Sequence, residues 1–337
     1  MPATEETARA NLTDDEFTRS TEPLRRELFA HCYRMLGSLD DAEDVLQETY
    51  LRAWRSFGGF EGRASVRTWL YRIATNACLT AMGHRSRRVL PSGLGAPNGT
   101  GAELPAGVEW LQPAPDILTT GEEADPAELV ATRASVRLAL VAGLQYLPPR
   151  QRAVLLLRDV LALPATEVAD VLGMSVPAVK SALQRARRRI AEVAPDADQL
   201  AEPSEARERE LLDGYMAAFT RADATTLVER LLTRDAVLEV SPSAQWFSGK
   251  AVCGAVLDAA VGTPGEWRMV PARANGQPAA YVWQRGTDGA YHPVGMVVLT
   301  VTQAGITRIT VFAMPELVTH FQNGGSSGRG ERPAGTG

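Results

Sequence analysis

Two short runs of basic residues have the composition to bind the phosphates of a nucleic acid. One run is Arg85–Arg88 and the other is Lys180–Arg189. Phosphate contacts need a basic stripe on one surface only, so a net charge of −5 does not exclude them. Acidic residues cluster elsewhere, within residues 40–48 and 103–128. Charge is therefore segregated along the chain, and the basic runs are candidate nucleic-acid contacts.

Candidate groups for catalysis are few. Acid–base chemistry needs a carboxylate or histidine held in a pocket, and Asp235, Asp258 and His292 are available, but no paired spacing marks them as acid and base. The three cysteines show neither a CxxC motif nor Cys/His metal spacing, and we interpret them as reduced packing residues: Cys32, Cys78 and Cys253. We expect no enzyme activity, metal or cofactor.

The elements that carry these residues must belong to more than one compact unit. A chain of 337 residues with 45% hydrophobic residues is long enough for two or three domains. No apolar run reaches the roughly 20 residues of a membrane helix, and the polar start of the chain lacks a signal-peptide segment. We expect a cytoplasmic protein with no membrane contact.

The segment Pro164–Ile190 has the pattern of a helix-turn-helix. Small Ala169 allows close helix packing, Gly173 supplies the turn, and Ser175 caps a second helix that accepts Pro177 in its first turn. One face of that second helix is apolar, and the polar residues that point away from it are Lys180, Ser181, Gln184, Arg185 and Arg188. The pattern favours DNA binding over an ordinary surface hairpin with a solvated charge run. By itself it leaves repressor, activator and sigma factor open.

Helical periodicity also dominates the N-terminal quarter of the chain. Residues 40–57 and 66–81 each carry an apolar stripe at helical spacing, and the outward face of the first is polar and acidic at its start.

The rest of the chain divides by composition. A Pro/Gly-rich acidic segment interrupts the helical pattern, and the C-terminal part combines a helix over Arg207–Thr233 with five strand-like segments. The pattern predicts a multidomain protein: two all-α domains, the second with the helix-turn-helix, and a C-terminal α+β domain with a helix and a curved sheet. The expected boundaries are a helical domain at 14–88, a linker at 89–127, a second helical domain at 128–194, a linker at 195–204, the α+β domain at 205–322 and a disordered tail at 323–337.

Three motifs in order resemble the extracytoplasmic-function sigma factors of bacterial RNA polymerase. Asp41–Trp54 is similar to their polymerase-binding helix, Phe60–Leu79 to their promoter-melting segment, and Leu147–Arg152 precedes the helix-turn-helix as in that family. The resemblance covers about residues 15 to 192 and implies that 14–88 is sigma region 2 and 128–194 is sigma region 4.

The resemblance also implies roles for individual residues. The clamp helices of the polymerase's largest subunit would meet Asp44, Gln47, Glu48 and Arg52, and region 4 would meet the flap. The minus-ten element would be captured and melted by Phe60, Arg63, Arg67, Arg72, Asn76, Arg85, Arg87 and Arg88, with Trp69 and Ile73 in the core. The minus-thirty-five element would be read by Ser175 and the polar face of the second helix. Linker carboxylates would mimic phosphates inside the polymerase: Glu103, Glu109 and Asp116.

A second resemblance concerns the C-terminal domain. Trp246–Val252, Ala274–Ala280 and Ile306–Phe312 are similar to the SnoaL-like branch of the cone-shaped fold shared with nuclear transport factor 2. Such cones enclose an apolar pocket, here expected to be lined by Tyr215, Trp246, Trp267, Trp283, His292 and Met296 and to take a small-molecule ligand. The alternative is that these aromatics are core.

Together the two resemblances predict an alternative sigma factor that binds core RNA polymerase and promoter DNA, modulated in cis by its C-terminal domain. Sigma factors with such a domain often lack a dedicated anti-sigma partner, and the sequence leaves that partner and the oligomeric state open. Two alternatives of other classes are a polymerase-independent helix-turn-helix regulator and a sigma-like protein with an enzymatic tail.

Overall fold

The computed structural model describes residues 15–62, 64–83, 87–98, 104, 106–119, 135–193 and 203–318. Contacts divide the chain into two units. The first contains the described residues up to Val89 and those from Gly107 to Gln199, and the second contains those from Leu90 to Ala106 and from Leu200 onward. The predicted linker at 89–127 is therefore divided between the two units.

Region 2 is a bundle of three helices that follows a helical segment at 15–21. The helices are α1 at Arg25–Leu36, α2 at Leu39–Phe57 and α3 at Val66–Met82. Gly37 ends α1 in the left-handed conformation, and the Ser38 hydroxyl caps α2 by accepting a hydrogen bond from the Asp41 N–H at 3.2 Å. The two helices predicted from periodicity are confirmed. Their apolar stripes meet in a core that includes Leu28, Tyr33, Met35, Leu46 and Leu70.

Two short strands connect region 2 to the chain that follows it. Strand β1 at Arg88–Val89 pairs in parallel with β2 at Glu109–Trp110. A single helical turn, Asp116–Thr119, comes soon after β2.

Between residues 138 and 193, region 4 contains four helices. They are α4 at Leu138–Leu144, α5 at Pro149–Leu155 with a π-helical extension at Leu156–Val160, α6 at Ala165–Leu172 and α7 at Val176–Val193. Gly173 takes a φ of 60°, and the Ser175 hydroxyl accepts a hydrogen bond from the Ala178 N–H at 3.3 Å. The predicted turn and cap of the helix-turn-helix are confirmed.

The C-terminal domain is a helix-covered, mixed six-stranded sheet. It contains α8 at Glu205–Arg221, β3 at Leu232–Ser241, β4 at Trp246–Ser248, α9 at Lys250–Val261, β5 at Trp267–Ala274, β6 at Gln277–Arg285, β7 at Tyr291–Thr302 and β8 at Gly305–Phe312. The strand order is β4-β3-β8-β7-β6-β5, with β3 and β8 parallel and the other neighbours antiparallel. The domain core includes Leu211, Tyr215, Leu257, Leu299 and Ile309.

The predicted helix at Arg207–Thr233 is wrong in its second half. Helix α8 ends at Arg221 because Ala222 takes a left-handed φ of 53°, and β3 begins at Leu232. A short helical turn and a π-turn at Leu227–Leu231 fill the gap. All five predicted strand segments are strands, whereas α9 and β4 were not predicted.

Candidate polymerase and promoter interfaces

Helix α2 presents the polar face expected to bind polymerase. Asp44, Gln47 and Arg52 are exposed, and Glu48 is partly exposed. The Arg52 Nε lies 2.6 Å from the Glu48 carboxylate, an ion pair one helical turn long. The opposite face of α2 packs into the region 2 core, so its polar face is open to a partner.

Two large apolar side chains lie on the same exposed face and were not identified from the sequence. Leu51 is 49% exposed and Trp54 is 53% exposed, three residues apart on α2. Exposed aromatic and aliphatic side chains flanked by polar ones are typical anchors of a protein interface. The helical spacing of Gln47, Leu51 and Trp54 could have revealed them.

The expected melting loop begins with a packed aromatic cluster. The Phe60 ring centroid lies 5.0 Å from that of Trp69 and 6.5 Å from that of Phe57. Phe60 and Trp69 are both half-buried. Arg63 lies outside the described residues.

The residues of α3 that are expected to contact the single DNA strand differ in whether another side chain of the protein already pairs with them. Arg72 and Asn76 are exposed, one turn apart, and the Asn76 amide donates to the Arg72 carbonyl at 2.9 Å. Arg67 instead makes a bidentate pair with Glu27, with Nε and Nη2 each 2.9 Å from a carboxylate oxygen. These hydrogen bonds raise the pKa of the Arg67 guanidinium.

The described arginines of the first basic run also have intramolecular partners. Arg88 Nη2 lies 2.6 Å from the Asp41 carboxylate and 3.6 Å from that of Glu109, and Nη1 donates to the Trp110 carbonyl at 3.1 Å. The Arg87 guanidinium lies over the Tyr146 ring, 4.0 Å from its centroid. Binding of either arginine to a phosphate would require these contacts to exchange.

The expected phosphate mimics of the linker are placed as follows. Glu109 faces Arg88 of its own chain, and Asp116 begins a helical turn. Glu103 and Arg85 lie outside the described residues.

Gln112 attaches the chain after β2 to the start of α2. Its side-chain oxygen accepts hydrogen bonds from the Ser38 hydroxyl at 2.7 Å and the Leu39 N–H at 2.8 Å, and its amide nitrogen donates to Asp40 at 2.9 Å. Its backbone carbonyl accepts from the Tyr33 hydroxyl at 2.8 Å, and its N–H donates to the Gly37 carbonyl at 3.1 Å. We call Glu109–Gln112 the region 2 clasp, since it holds the turn between α1 and α2.

The recognition helix α7 has the polarity expected from its sequence. Its buried face packs within region 4, and the side chains expected to contact the minus-thirty-five element are all exposed: Ser175, Lys180, Ser181, Gln184, Arg185 and Arg188. Arg187, by contrast, makes a bidentate pair with Asp159, with its nitrogens 2.7 and 2.8 Å from the carboxylate oxygens. Arg187 therefore pairs α7 with the π-helical extension of α5, and on the exposed polar face Arg188 Nε lies 3.8 Å from the Glu192 carboxylate.

Of the residues expected to line a pocket in the C-terminal domain, Tyr215 and Trp267 contact the same Phe219 ring, at centroid distances of 5.0 and 6.0 Å. Tyr215 is buried in the core, and burial raises its pKa. Trp267 donates to the Ala260 carbonyl at 3.1 Å, whereas Trp283 lies under Arg268, 5.8 Å from its guanidinium. His292 is exposed and pairs with Asp288 at 2.9 Å, a contact that lowers the pKa of Asp288.

Met296 and Trp246, which were also expected to line the pocket, lie at other places in the C-terminal domain. Met296 is buried on the opposite sheet face from the Val297 and Leu299 side chains of the core, since alternate residues of a strand point to opposite faces. Trp246 lies on the edge strand β4 and donates to the Gly95 carbonyl at 2.9 Å.

The interior of region 2 contains titratable side chains whose pKa values are shifted by burial. His31 is fully buried, its Nε2 lies 3.0 Å from the Thr75 hydroxyl, and burial followed by the nearby Arg34 charge lowers its pKa to about 3. Burial raises the pKa of Cys78, beside Cys32. All three cysteines are buried and unpaired by disulfides, as expected for packing residues.

Two absences hold for the part of the chain that the structure describes. In it, no cluster of three His, Cys, Asp or Glu side chains could hold a metal ion. None of the helices searched in that part is long and apolar enough to cross a membrane.

Comparisons with known proteins agree with this architecture. Sigma-70 region 2 matches residues 21–88, and Sigma-70, region 4 matches residues 137–190. The ECF RNA polymerase sigma factor SigG of Mycobacterium tuberculosis is 46% identical over 91% of this chain and 83% of its own length. SigJ of the same organism is 32% identical over 62% of this chain and 60% of its own. The crystal structure of SigJ aligns with a TM-score of 0.60 at 24% identity, covering 88% of this chain and 96% of that one.

Two helical sigma regions followed by a sheet-containing domain define the class as a sigma factor with an added α+β domain. The chain belongs to the extracytoplasmic-function RNA polymerase sigma factors.

Proposed function

We propose that this protein binds core RNA polymerase in the cytoplasm, directs it to specific promoters, and is modulated in cis by its C-terminal domain acting on the chain that joins regions 2 and 4. Family membership supports the initiation activity. The open polar face of α2, the aromatic start of the melting loop and the exposed face of α7 support the three expected contacts with polymerase, the minus-ten element and the minus-thirty-five element.

Modulation in cis is supported by one observation: the segment just after β1 is bound by the C-terminal domain. The Ser92 N–H donates to the Glu239 carboxylate at 3.1 Å, and Trp246 Nε1 donates to the Gly95 carbonyl. Asn98 donates through its N–H to the Trp246 carbonyl at 2.9 Å and accepts from the Ser248 N–H at 3.0 Å. The joining chain therefore lies along the edge strand β4.

Glu239 is the fixed point of this contact. Its carboxylate is fully buried and also accepts hydrogen bonds from Arg308 at 2.8 Å and from the Thr310 hydroxyl at 3.3 Å. A buried carboxylate requires such partners, and the Ser92 N–H is one of them. Any state of the sigma regions that pulls on residues 90–98 must act against this site.

The experiment is run-off transcription with core polymerase and a promoter library, comparing the full chain, a chain ending at Pro203, and the full-length Trp246→Phe variant. Trp246→Phe removes one donor from the linker contact, and Trp283→Phe is the matched control, because Trp283 lies away from β4. We expect promoter-specific transcripts from the full chain and an altered yield from the truncated chain and from Trp246→Phe only. Transcripts that are equal in all four proteins would contradict modulation through the linker.

The two alternatives receive less support. A polymerase-independent regulator has no use for region 2, which is present and matched. DNA binding without any transcript from either the full or the truncated chain would favour it. For an enzymatic tail, Asp235, Asp258 and His292 all lie on the surface, so none is placed as an acid or base inside the cone.

A further inference from the structure

Arg187 of the recognition helix α7 is held by a carboxylate from another helix. Its Nε lies 2.8 Å from one Asp159 carboxylate oxygen, and its Nη2 lies 2.7 Å from the other. Asp159 belongs to the π-helical extension of α5, 28 positions earlier in the chain. Two parallel hydrogen bonds between a guanidinium and a carboxylate fix the angle between the two groups as well as their distance. The pair therefore defines how the C-terminal half of α7 lies against α5.

Arg187 stands at the border between the buried and the exposed sides of α7. At about 100° per residue, it lies about 20° around the helix axis from Lys180 and about 40° from Leu183. Lys180 is exposed, whereas Leu183 is buried. Arg187 thus comes two turns after a residue expected to read bases, on the side of α7 that faces Asp159.

The backbone around Asp159 holds its carboxylate in place. Residues Leu156–Val160 form a π-helical turn, and Ala162 follows in the left-handed conformation with a φ of 53°. Arg158 ties the two parts together, since its Nη1 donates to the Leu163 carbonyl. Alanine is unfavourable at positive φ, and such a conformation persists only where the surrounding contacts impose it. Asp159 therefore projects from a turn with a fixed backbone.

The ion pair takes the place of a phosphate contact at Arg187. A phosphate could bind Arg187 only by displacing Asp159, and the exchange of one ion pair for another adds little net attraction. In the described part of the chain, Lys180 and Arg185 of the same helix have no carboxylate partner, so they remain available to phosphates. With 61% and 29% of their side chains exposed, Arg187 and Asp159 also add little to the stability of the fold. The consequence of the pair is then geometric, because it sets the orientation of α7.

We propose that Asp159 is a positioning residue for promoter recognition. Through Arg187 it sets the angle at which α7 enters the major groove, and thereby the register between the exposed side chains of α7 and the bases of the minus-thirty-five element. This role rests on the proposed function. It assigns Arg187 to the protein's own α5 and leaves phosphate binding to other cations of α7.

The test measures sequence discrimination by the full-length protein bound to core polymerase. A promoter found by run-off transcription is prepared with each single base-pair substitution in its minus-thirty-five element, and the dissociation constant of the holoenzyme is measured for every DNA over a series of salt concentrations. Asp159→Asn and Arg187→Lys break the bidentate pair, since lysine keeps the charge but offers a single point of contact. The matched controls are Glu192→Gln and Arg189→Lys, which alter an ion pair of 3.1 Å contained within α7 itself.

We expect Asp159→Asn and Arg187→Lys each to lower the discrimination against substituted base pairs roughly fivefold to tenfold, because each good base contact contributes roughly fivefold to a hundredfold and a shift of register weakens it. The double variant Asp159→Asn/Arg187→Lys should lose no more than either single variant. The reversed pair Asp159→Arg/Arg187→Asp should recover most of the discrimination. The two controls should keep the discrimination of the unaltered protein.

A phosphate contact at Arg187 predicts a different pattern. Asp159→Asn would then bind every promoter DNA more tightly, with a salt dependence steeper by about 0.9 in log–log slope, and Arg187→Lys would leave discrimination unchanged. Either result would overturn the positioning role, as would equal discrimination in all variants. If circular dichroism shows that a single variant loses helix, the reversed pair decides: recovered discrimination supports the role, and no recovery contradicts it. Failure of the proposed function itself would be seen earlier, as an absence of promoter-specific transcripts from the unaltered protein.

Discussion

Replacing Gln112 by alanine should loosen the start of α2, the helix proposed to bind polymerase. The change removes three side-chain hydrogen bonds, to Ser38, Leu39 and Asp40, and leaves the two backbone bonds of Gln112 in place. Ser38 and Leu39 are buried, so water cannot readily replace the lost acceptor.

The magnitude follows from the kind of bond. A net contribution of about 0.5–1.5 kcal/mol per hydrogen bond, discounted for the exposed contact with Asp40, gives a local loss of about 2 kcal/mol. Gln112→Glu keeps an acceptor but loses the donor and puts a carboxylate beside Asp40. We expect it to be at least as destabilising at neutral pH.

Amide hydrogen exchange measures this directly. A local loss of about 2 kcal/mol corresponds to roughly thirtyfold faster exchange at the Leu39 and Asp41 amides. Gln151→Ala, at a partly exposed position of region 4, is the control and should leave the exchange rates of these amides unchanged. Unchanged exchange in Gln112→Ala would refute the argument that the clasp stabilises α2.

Three further outcomes are expected. The pKa of His31 is lower in the folded state than in the unfolded state, so the unfolded state binds more protons between pH 6.5 and about 3. The free energy of unfolding should therefore fall as pH falls through that window, by up to about 1.4 kcal/mol per pH unit. Urea titrations of His31→Gln should lack this pH-dependent loss of stability. Gly295→Ala should lower the melting temperature of the C-terminal domain, because its Cβ would lie 1.9 Å from the Phe312 carbonyl oxygen. Gly58→Ala, which has open space around it and a φ of −62°, should leave the melting temperature unchanged or raise it slightly. Trp54→Ala should weaken binding to core polymerase roughly tenfold to a hundredfold in a pull-down titration.

The features that the sequence predicted well are those governed by local rules. Gly173 and Ser175 act within a few residues of their own positions, so the turn and cap of the helix-turn-helix could be read from spacing alone. The same holds for the stripes of α2 and α3 and for strands with alternating or continuous apolar residues. Helix α9 was not predicted because its residues are mostly small and apolar, so its two faces differ little in polarity.

The break after α8 has no comparable sequence signal. Alanine is a strong helix former, yet Ala222 takes a left-handed conformation that usually marks glycine or asparagine. Tertiary packing of the following π-turn against the sheet decides the end of that helix. Local propensity therefore extended the predicted helix too far.

The linker was the largest difference between expectation and structure. Its Pro and Gly content favours a spacer, but Gln112 and Ser92 are held by hydrogen bonds to a helix start and to a buried carboxylate. Such contacts depend on residues more than 70 positions away. The pattern of residues within the linker therefore could not predict these hydrogen bonds.

The pairing of basic residues with groups of the same chain bears on the proposed promoter contacts of this protein, which has a net charge of −5. Arg67 and Arg88 are neutralised by Glu27 and Asp41, and each would have to leave its carboxylate to meet a phosphate. A phosphate that replaces a carboxylate adds little net attraction, because one ion pair is exchanged for another. Under the proposed function, selection of DNA then depends on what first separates these ion pairs. Binding of polymerase to the polar face of α2, the helix that carries Asp41, is expected to do so.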